Sequence, residues 1–199
     1  MFITFEGLDG SGKTTQAELL RDALEREGRE VVATREPGGT PLGEEVRRLL
    51  LHWSDVSPWA EAALFAAARA ELVHRVIRPA LDRGADVVCD RYIDSSLAYQ
   101  GLARGLGVGR VLELNLAAVG GLLPDRTFVL LVDPEDASER LADDNLDRIE
   151  RENGEFRARV GEAYRELAAL FPDRIVTIDG ALPVAEIAQI VRGELRAAA

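Results

Sequence analysis

The segment Gly7-Leu8-Asp9-Gly10-Ser11-Gly12-Lys13-Thr14-Thr15 sets glycines, a lysine and a hydroxyl in the order G-x-x-x-x-G-K-[ST]. That spacing is chemistry for holding phosphates. Glycines without a Cβ let backbone N–H groups turn inward on an anion, and a helix starting there adds partial positive charge. The backbone from Gly7 to Gly12, with Thr15, forms the cradle. Lys13 reaches the β- and γ-phosphates, and the Thr14 hydroxyl can hold Mg²⁺. Lys13 is the single lysine of the chain, and the other strongly basic side chains are arginines. A compact ammonium on a flexible stem suits such a cradle, whereas arginine prefers flat bidentate contacts.

A second chemical group stands at Asp90-Arg91-Tyr92, after the apolar run Ala85-Asp86-Val87-Val88-Cys89. A carboxylate at such a strand end is the second acidic group needed near Mg²⁺ in this kind of nucleotide site. Taken alone, Asp90 could equally be a solvated strand-end carboxylate; Arg91 beside it and the phosphate loop elsewhere favour the functional reading. No Glu follows Asp90, so transfer to an acceptor other than water is favoured over hydrolysis. The chain has no Asn-Lys-x-Asp guanine-reading motif, which argues against a GTPase.

These residues need elements to hold them. Phe2-Ile3-Thr4-Phe5 reads as a buried strand leading into the phosphate loop, and Ala17, Leu20 and Leu24 share one face of the helix that follows. A surface Gly/Ser turn would not need that strand–turn–helix context. Further strands are expected at 31–34, 85–89, 127–132 and 174–178. Helices are expected at 44–51, 57–81, 135–141, 156–170 and 183–196, with two segments after Tyr92 broken near Arg104-Gly105-Leu106-Gly107. Ser57 should cap the helix that Pro58 opens. Strands alternating with helices predict an α/β fold: a three-layer P-loop NTPase arrangement, a five-stranded parallel sheet with helices on both faces. Ligands of such sheets sit at the carboxyl ends of the strands. The phosphate loop, Arg35-Glu36-Pro37 and Asp90-Arg91-Tyr92 all fall there. One domain over 1–199 is expected, with a mobile lid at about 140–153, because 142–153 is charged and poor in large apolar groups.

Composition narrows the class. The net charge of −11 argues against a nucleic-acid partner and demands locally concentrated arginine around any phosphate. Met1-Phe2-Ile3-Thr4-Phe5, followed at once by an acidic residue and the loop, does not read as a secretory signal, and no apolar run is long enough to span a bilayer. One cysteine excludes an intramolecular disulfide and fits a cytoplasmic location. Cys89 reads as core packing, His52 and His74 as surface or interface residues, and Trp53 and Trp59 as packing groups. The alanines of 58–81 lie on more than one helical face, so this helix should pack against two neighbours, one of which could be a second subunit.

Beyond single motifs, the chain resembles the thymidylate kinase family over nearly its whole length. The resemblance lies in Gly7 to Thr15, Thr34-Arg35-Glu36-Pro37-Gly38-Gly39-Thr40, the pair Phe65 and Arg69, Asp90-Arg91-Tyr92 with Ser95-Ser96-Leu97-Ala98-Tyr99-Gln100, and Leu146-Asp147-Arg148-Ile149-Glu150. It implies an ATP:dTMP phosphotransferase that uses Mg²⁺ and works as a homodimer. By the resemblance, Phe65 stacks on thymine, Arg69 donates to a ring carbonyl, and Ser96 stands near the base. The four-residue spacing of Phe65 and Arg69 puts both on one helical face, although core packing would also account for Phe65. Tyr99 would crowd a ribose 2′-hydroxyl, and Asp9 would contact the sugar 3′-hydroxyl or Mg²⁺. Arg35 and Arg91 would hold the acceptor phosphate, and Pro37 and Gln100 belong to the same acceptor side. Arg148 would close over the transferring group. The sequence departs from the family's bacterial pattern in one respect: with no arginine inside the phosphate loop, the lid stretch Arg140-Leu141-Ala142-Asp143-Asp144-Asn145 is low in basic residues. Either Arg148 with Arg140 or Arg151 suffices, or turnover is slow. Arg140 instead stacks on adenine or, like Arg151, is a solvated surface arginine. A kinase for another nucleotide or a small alcohol, and a non-catalytic nucleotide switch, are the rival readings.

Overall fold

The structure, a computed structural model, describes residues 1–53, 55–141 and 147–197. Its strands are β1 (Phe2–Gly7), β2 (Val31–Arg35), β3 (Asp86–Asp90), β4 (Arg126–Leu131) and β5 (Ile175–Asp179). They form one sheet in the order β2-β3-β1-β4-β5, with every neighbouring pair parallel. β1 lies at the centre, so the loop that follows it emerges at the middle of the sheet's carboxyl edge.

Period-2 alternation divides the core between two faces. Ile3 and Phe5 of β1, Val88, Phe128, Leu130 and Ile178 point to one face. There they pack on Ala17, Leu20 and Leu24 of α1 (Lys13–Arg26) and on Ile187, Val191 and Leu195 of α9 (Val184–Ala197). Phe2, Val87 and Cys89 point to the other face, against the long helical run that begins as α3 (Pro58–Leu72). That run widens into a π-helical turn at Val73–Ile77 and ends as α4 (Arg78–Asp82). α2 (Pro41–His52) packs on α3 through Val46, Leu50 and Ala68. Tyr99, Val111, Val129, Val160, Tyr164 and Leu167 form a further cluster. It joins β4, the segment α5 (Ile93–Ser96) with its π-helical continuation Leu97–Ala103, α6 (Val108–Val119) and α8 (Gly154–Leu170). A short α7 (Pro134–Glu139) follows β4.

Several boundaries follow from capping. The Thr40 hydroxyl accepts from Gly43 N at 3.0 Å, which starts α2 three residues before the periodicity predicts. Asn153 Oδ1 accepts from Phe156 N at 2.9 Å and starts α8 at Gly154. Ser57 corrects the sequence reading: its backbone is extended ahead of α3, but its hydroxyl makes no capping bond. Cys89 is fully buried in the core, as expected. The alanines of α3 lie on more than one face: Ala62, Ala66 and Ala68 are buried, whereas Ala60, Ala63 and Ala67 are exposed.

Candidate functional site: a phosphate loop beside an acceptor cavity

Gly7, Gly10 and Gly12 have φ of 138°, 83° and 93°, backbone that L side chains rarely adopt. A Cβ on Gly7 would stand 2.5 Å from the Leu130 carbonyl oxygen, and one on Gly10 would collide with the Ala137 carbonyl. A Cβ on Gly12 would meet nothing within 4 Å. The loop is therefore backed by β4 and α7 and open where α1 begins, the end at which a helix attracts anions.

Lys13 is buried inside this loop, with Nζ donating to the Leu8 carbonyl at 2.7 Å and 3.7 Å from Asp9 Oδ1. Burial, aided by Arg91, pushes the ammonium down to about 8, against the pull of Asp9 and Asp90. The Thr14 hydroxyl donates to Asp90 Oδ2 at 2.5 Å, while Asp90 Oδ1 is buried without a partner. An unused carboxylate oxygen beside a hydroxyl is a hard oxygen set that fits Mg²⁺. Among the described residues no three carboxylate, histidine or cysteine side chains cluster as a cage. The remaining ligands would have to be phosphate oxygens and water, as is usual for this ion.

Two clefts flank the loop. One is lined by Ser11, Gly12, Thr15 and Arg140 together with Pro183 and Val184 of the segment after β5. Arg140 Nη1 donates to the Gly180 carbonyl at 3.4 Å on its wall. The other is a cavity whose walls include Asp9, Pro37, Phe65, Arg91, Ser96, Tyr99 and Gln100, so most of the acceptor residues chosen from sequence converge on one space. Asp9 belongs both to the loop and to this cavity. It is ion-paired with Arg91, and its carboxyl is held near 2: burial would raise it, but Arg91 and Lys13 outweigh that.

Three of the sequence-selected arginines lie elsewhere. Arg35 is exposed and pairs with Glu44 at 3.1 Å; it does not line the cavity. Arg69 stands behind the wall, fully buried. Its Nε donates to Glu36 at 2.7 Å, Nη1 to Ser96 Oγ at 3.0 Å and to Asn115 Oδ1, and Nη2 to the Tyr92 carbonyl at 2.9 Å, with a further Nη2–Glu36 contact at 2.6 Å. All five of its N–H donors are thus spent inside the protein, none of them facing the cavity. Arg148 is docked away from the phosphate loop, with Nε on the Leu50 carbonyl at 2.9 Å and Nη2 on the buried Glu61 at 2.6 Å. Glu61 also receives Gln100 Nε2 at 2.9 Å. Of the lid stretch, residues 142–146 lie outside those described; Asp147, Ile149 and Glu150 line the cavity.

Sequence reasoning missed Arg47 and, although Glu36 and Ser95 fall within the motifs it singled out, gave those two no role; all three stand on the cavity wall. Arg47 Nη1 donates to the Pro37 carbonyl at 3.0 Å from nearly two turns inside α2. In the sequence it carried no distinguishing signal, since Glu44 stands at the ordinary helical pairing distance from it. Glu36 has one oxygen on Arg69 and the other, Oε1, buried without a partner; burial pushes its carboxyl up to about 7 against the pull of Arg69. Arg157 also went unnoticed: it donates to Ser138 Oγ at 2.5 Å and adds to the positive field on Asp9. His52 and His74 are exposed and neither lines the cavity, and no described helix is long and apolar enough to cross a membrane.

Comparison with known proteins bears on the family rather than on single side chains. A family model described as thymidylate kinase matches residues 5–191. The chain is 51% identical over 200 residues to a thymidylate kinase of Clavibacter michiganensis subsp. michiganensis, covering 99% of this chain and 95% of that protein. It is 48% identical over 194 residues to a thymidylate kinase of Symbiobacterium thermophilum, covering 96% and 91%. The crystal structure of thymidylate kinase from Ehrlichia chaffeensis superposes with a TM-score of 0.82 at 36% identity, over 98% of both chains.

Proposed function

Since the chain belongs to the thymidylate kinase family and so phosphorylates dTMP to dTDP with ATP as donor, we propose the following division of labour within its site. The observation that carries it is that one loop walls both spaces, the donor cleft through Ser11, Gly12 and Thr15 and the acceptor cavity through Asp9, which pairs with Arg91, so phosphates bound in the two would meet at this loop.

ATP lies along Gly7 to Thr15, with the backbone N–H groups and Lys13 on its phosphates and Arg140 beside the base. dTMP fills the cavity. Phe65 stacks on its base, Ser96 and Gln100 meet the base edge, and Tyr99 crowds the position a 2′-hydroxyl would take. Arg69 acts from behind by fixing Ser96 and Glu36, its donors being fully engaged. Arg91, with Arg47 above it, takes the acceptor phosphate; Arg35 joins them only by leaving Glu44. Thr14 and Asp90 would hold Mg²⁺, with Asp9 as a further candidate. The ion would neutralise charge on the transferring phosphoryl group. The attacking oxygen of dTMP is already anionic at neutral pH, so no general base is needed, and the protein's work is alignment and charge neutralisation.

Residues 1–199 work as one kinase domain with 140–153 as its lid. For Arg148 to reach the transferring group it must leave Glu61, so closure exchanges one carboxylate partner for a phosphate. The exposed row Ala60, Ala63 and Ala67 beside the half-exposed Trp59 suits a homodimer through the 58–81 helix, measurable as the solution mass by light scattering. The single buried cysteine suits the cytoplasm.

The test is ADP release with Mg-ATP against dTMP, dUMP, dCMP, UMP, CMP, AMP and thymidine. Turnover strongest with dTMP and weaker with dUMP is expected. A preference for another monophosphate would overturn the roles of Phe65, Ser96 and Tyr99. ATP binding without turnover of any acceptor would overturn the kinase assignment and favour a nucleotide switch.

A further inference from the structure

Arg91 is the group on which the acceptor phosphate depends in this reading, and its conformation is unusual. Its backbone has a φ of 69°, a region costly for a side chain with a Cβ. Its guanidinium is nevertheless held on several sides: Nη1 donates to the Gly7 carbonyl at 3.0 Å, to Ser95 Oγ at 3.0 Å and to Tyr164 Oη at 3.4 Å, and Nη2 pairs with Asp9. Two of these acceptors are hydroxyls, and a hydroxyl accepts reliably only if its own hydrogen is committed elsewhere.

That commitment leads to one residue. Glu6, the residue before the phosphate loop, is fully buried on the α8 side of the sheet. Its Oε2 receives Ser95 Oγ at 2.5 Å and Tyr164 Oη at 3.0 Å, and its Oε1 receives the Tyr92 backbone N–H at 2.7 Å. One carboxylate thus consumes the hydrogens of both hydroxyls and grips the backbone immediately after Arg91. Tyr164 comes from α8 and Ser95 from α5, so nothing local to Arg91 would enforce this arrangement.

We propose that Glu6 is a positioning residue for phosphoryl transfer: it orients the Ser95 and Tyr164 hydroxyls as acceptors and so fixes the Arg91 guanidinium at the mouth of the acceptor cavity. Glu6 touches neither substrate; it acts through Arg91. The inference rests on the assignment of Arg91 to the acceptor phosphate. Neutralising the carboxylate while keeping its shape should loosen Arg91, whereas Lys13, which draws on Asp9 and Asp90 before Glu6, should be little affected.

The experiment compares Glu6→Gln, Arg91→Lys and the double variant in the full-length protein, with kcat and both KM values measured under saturating Mg²⁺. Glu6→Gln should lower kcat about 10- to 100-fold, raise the KM for dTMP and leave the KM for ATP unchanged, because misplacement of a binding group by an ångström has an effect of that order. In the Arg91→Lys background the same change should have little further effect, since both act on one interaction. Equal losses in both backgrounds, or a full kcat in Glu6→Gln, would overturn the proposal while the reading of Arg91 stands. Full turnover by Arg91→Lys would overturn both. Should Glu6→Gln fail to fold, Tyr164→Phe removes one hydroxyl and keeps the ring. It should lower kcat several-fold with the same dependence on Arg91, and a normal kcat in that variant would overturn the proposal.

Discussion

Replacing Glu6 by Gln makes a second prediction, about stability, with a sign opposite to intuition. The carboxyl is pushed from its ordinary 4.5 up to about 7, first by burial and then by Asp94, with Arg91, Ser95 and the Tyr92 N–H pulling it back. Lys13 and Arg69 also face it with positive charge, and Tyr164 with a neutral hydroxyl. The folded chain therefore holds the Glu6 proton more tightly than the unfolded chain between pH 4.5 and 7. Its proton-linked stability is fully present below 4.5 and is lost as pH rises through about 7. A gap of about 2.5 pH units, at about 1.36 kcal/mol each, makes the loss about 3 kcal/mol. Gln does not titrate, so the variant should gain about 3 kcal/mol relative to the parent between pH 4.5 and 8, roughly 6–12 °C of melting temperature for a chain of this size. Urea or thermal unfolding of both proteins at closely spaced pH values measures this directly. Parallel stability curves would refute the buried, desolvated Glu6 on which the argument depends. At pH 8 the variant should thus be impaired in turnover while its stability has moved in the favourable direction, a combination that a merely structural residue would not produce.

Lys13→Met should lower kcat at least about 10²–10³-fold while leaving the urea midpoint near that of the parent, since it removes a charge aimed at the transferring phosphate; near-normal turnover would remove the loop from the chemistry. Gly10→Ala should destabilise by about 1–2 kcal/mol from left-handed backbone alone, and more through the collision with the Ala137 carbonyl, with ATP affinity falling as α7 is displaced; equilibrium unfolding and titration calorimetry report the two effects. Arg47→Ala should raise the KM for dTMP by about tenfold, the worth of one charged hydrogen bond, with kcat little changed; an unaltered KM would place Arg47 outside the acceptor site. Tyr99→Ala should narrow the preference for deoxy over ribo acceptors, measured as the ratio of kcat/KM for dUMP and UMP. Unchanged discrimination would take Tyr99 out of the sugar site.

What the sequence determined by itself is what short-range physics determines. Gly7, Gly12, Lys13 and Thr14 act within one turn of chain, so their spacing already states a phosphate cradle. Period-2 and period-3.6 patterns placed each strand and most helices to within a few residues, because burial of one face is a local constraint. The resemblance supplied the acceptor residues as a set, and Asp9, Pro37, Phe65, Arg91, Ser96, Tyr99 and Gln100 do converge on one cavity. The tertiary structure alone decided what each arginine faces. Arg69 is spent on Glu36, Ser96 and Asn115, which lie 33, 27 and 46 residues away along the chain. Arg148 is docked on Glu61, 87 residues distant, and Arg91 is governed by Glu6 through Tyr164, which lies 158 residues beyond Glu6. A guanidinium has five donors and a long, flexible stem, so its direction follows from whichever carboxylates and carbonyls the sheet and helices bring within reach, and no periodicity along the chain carries that information.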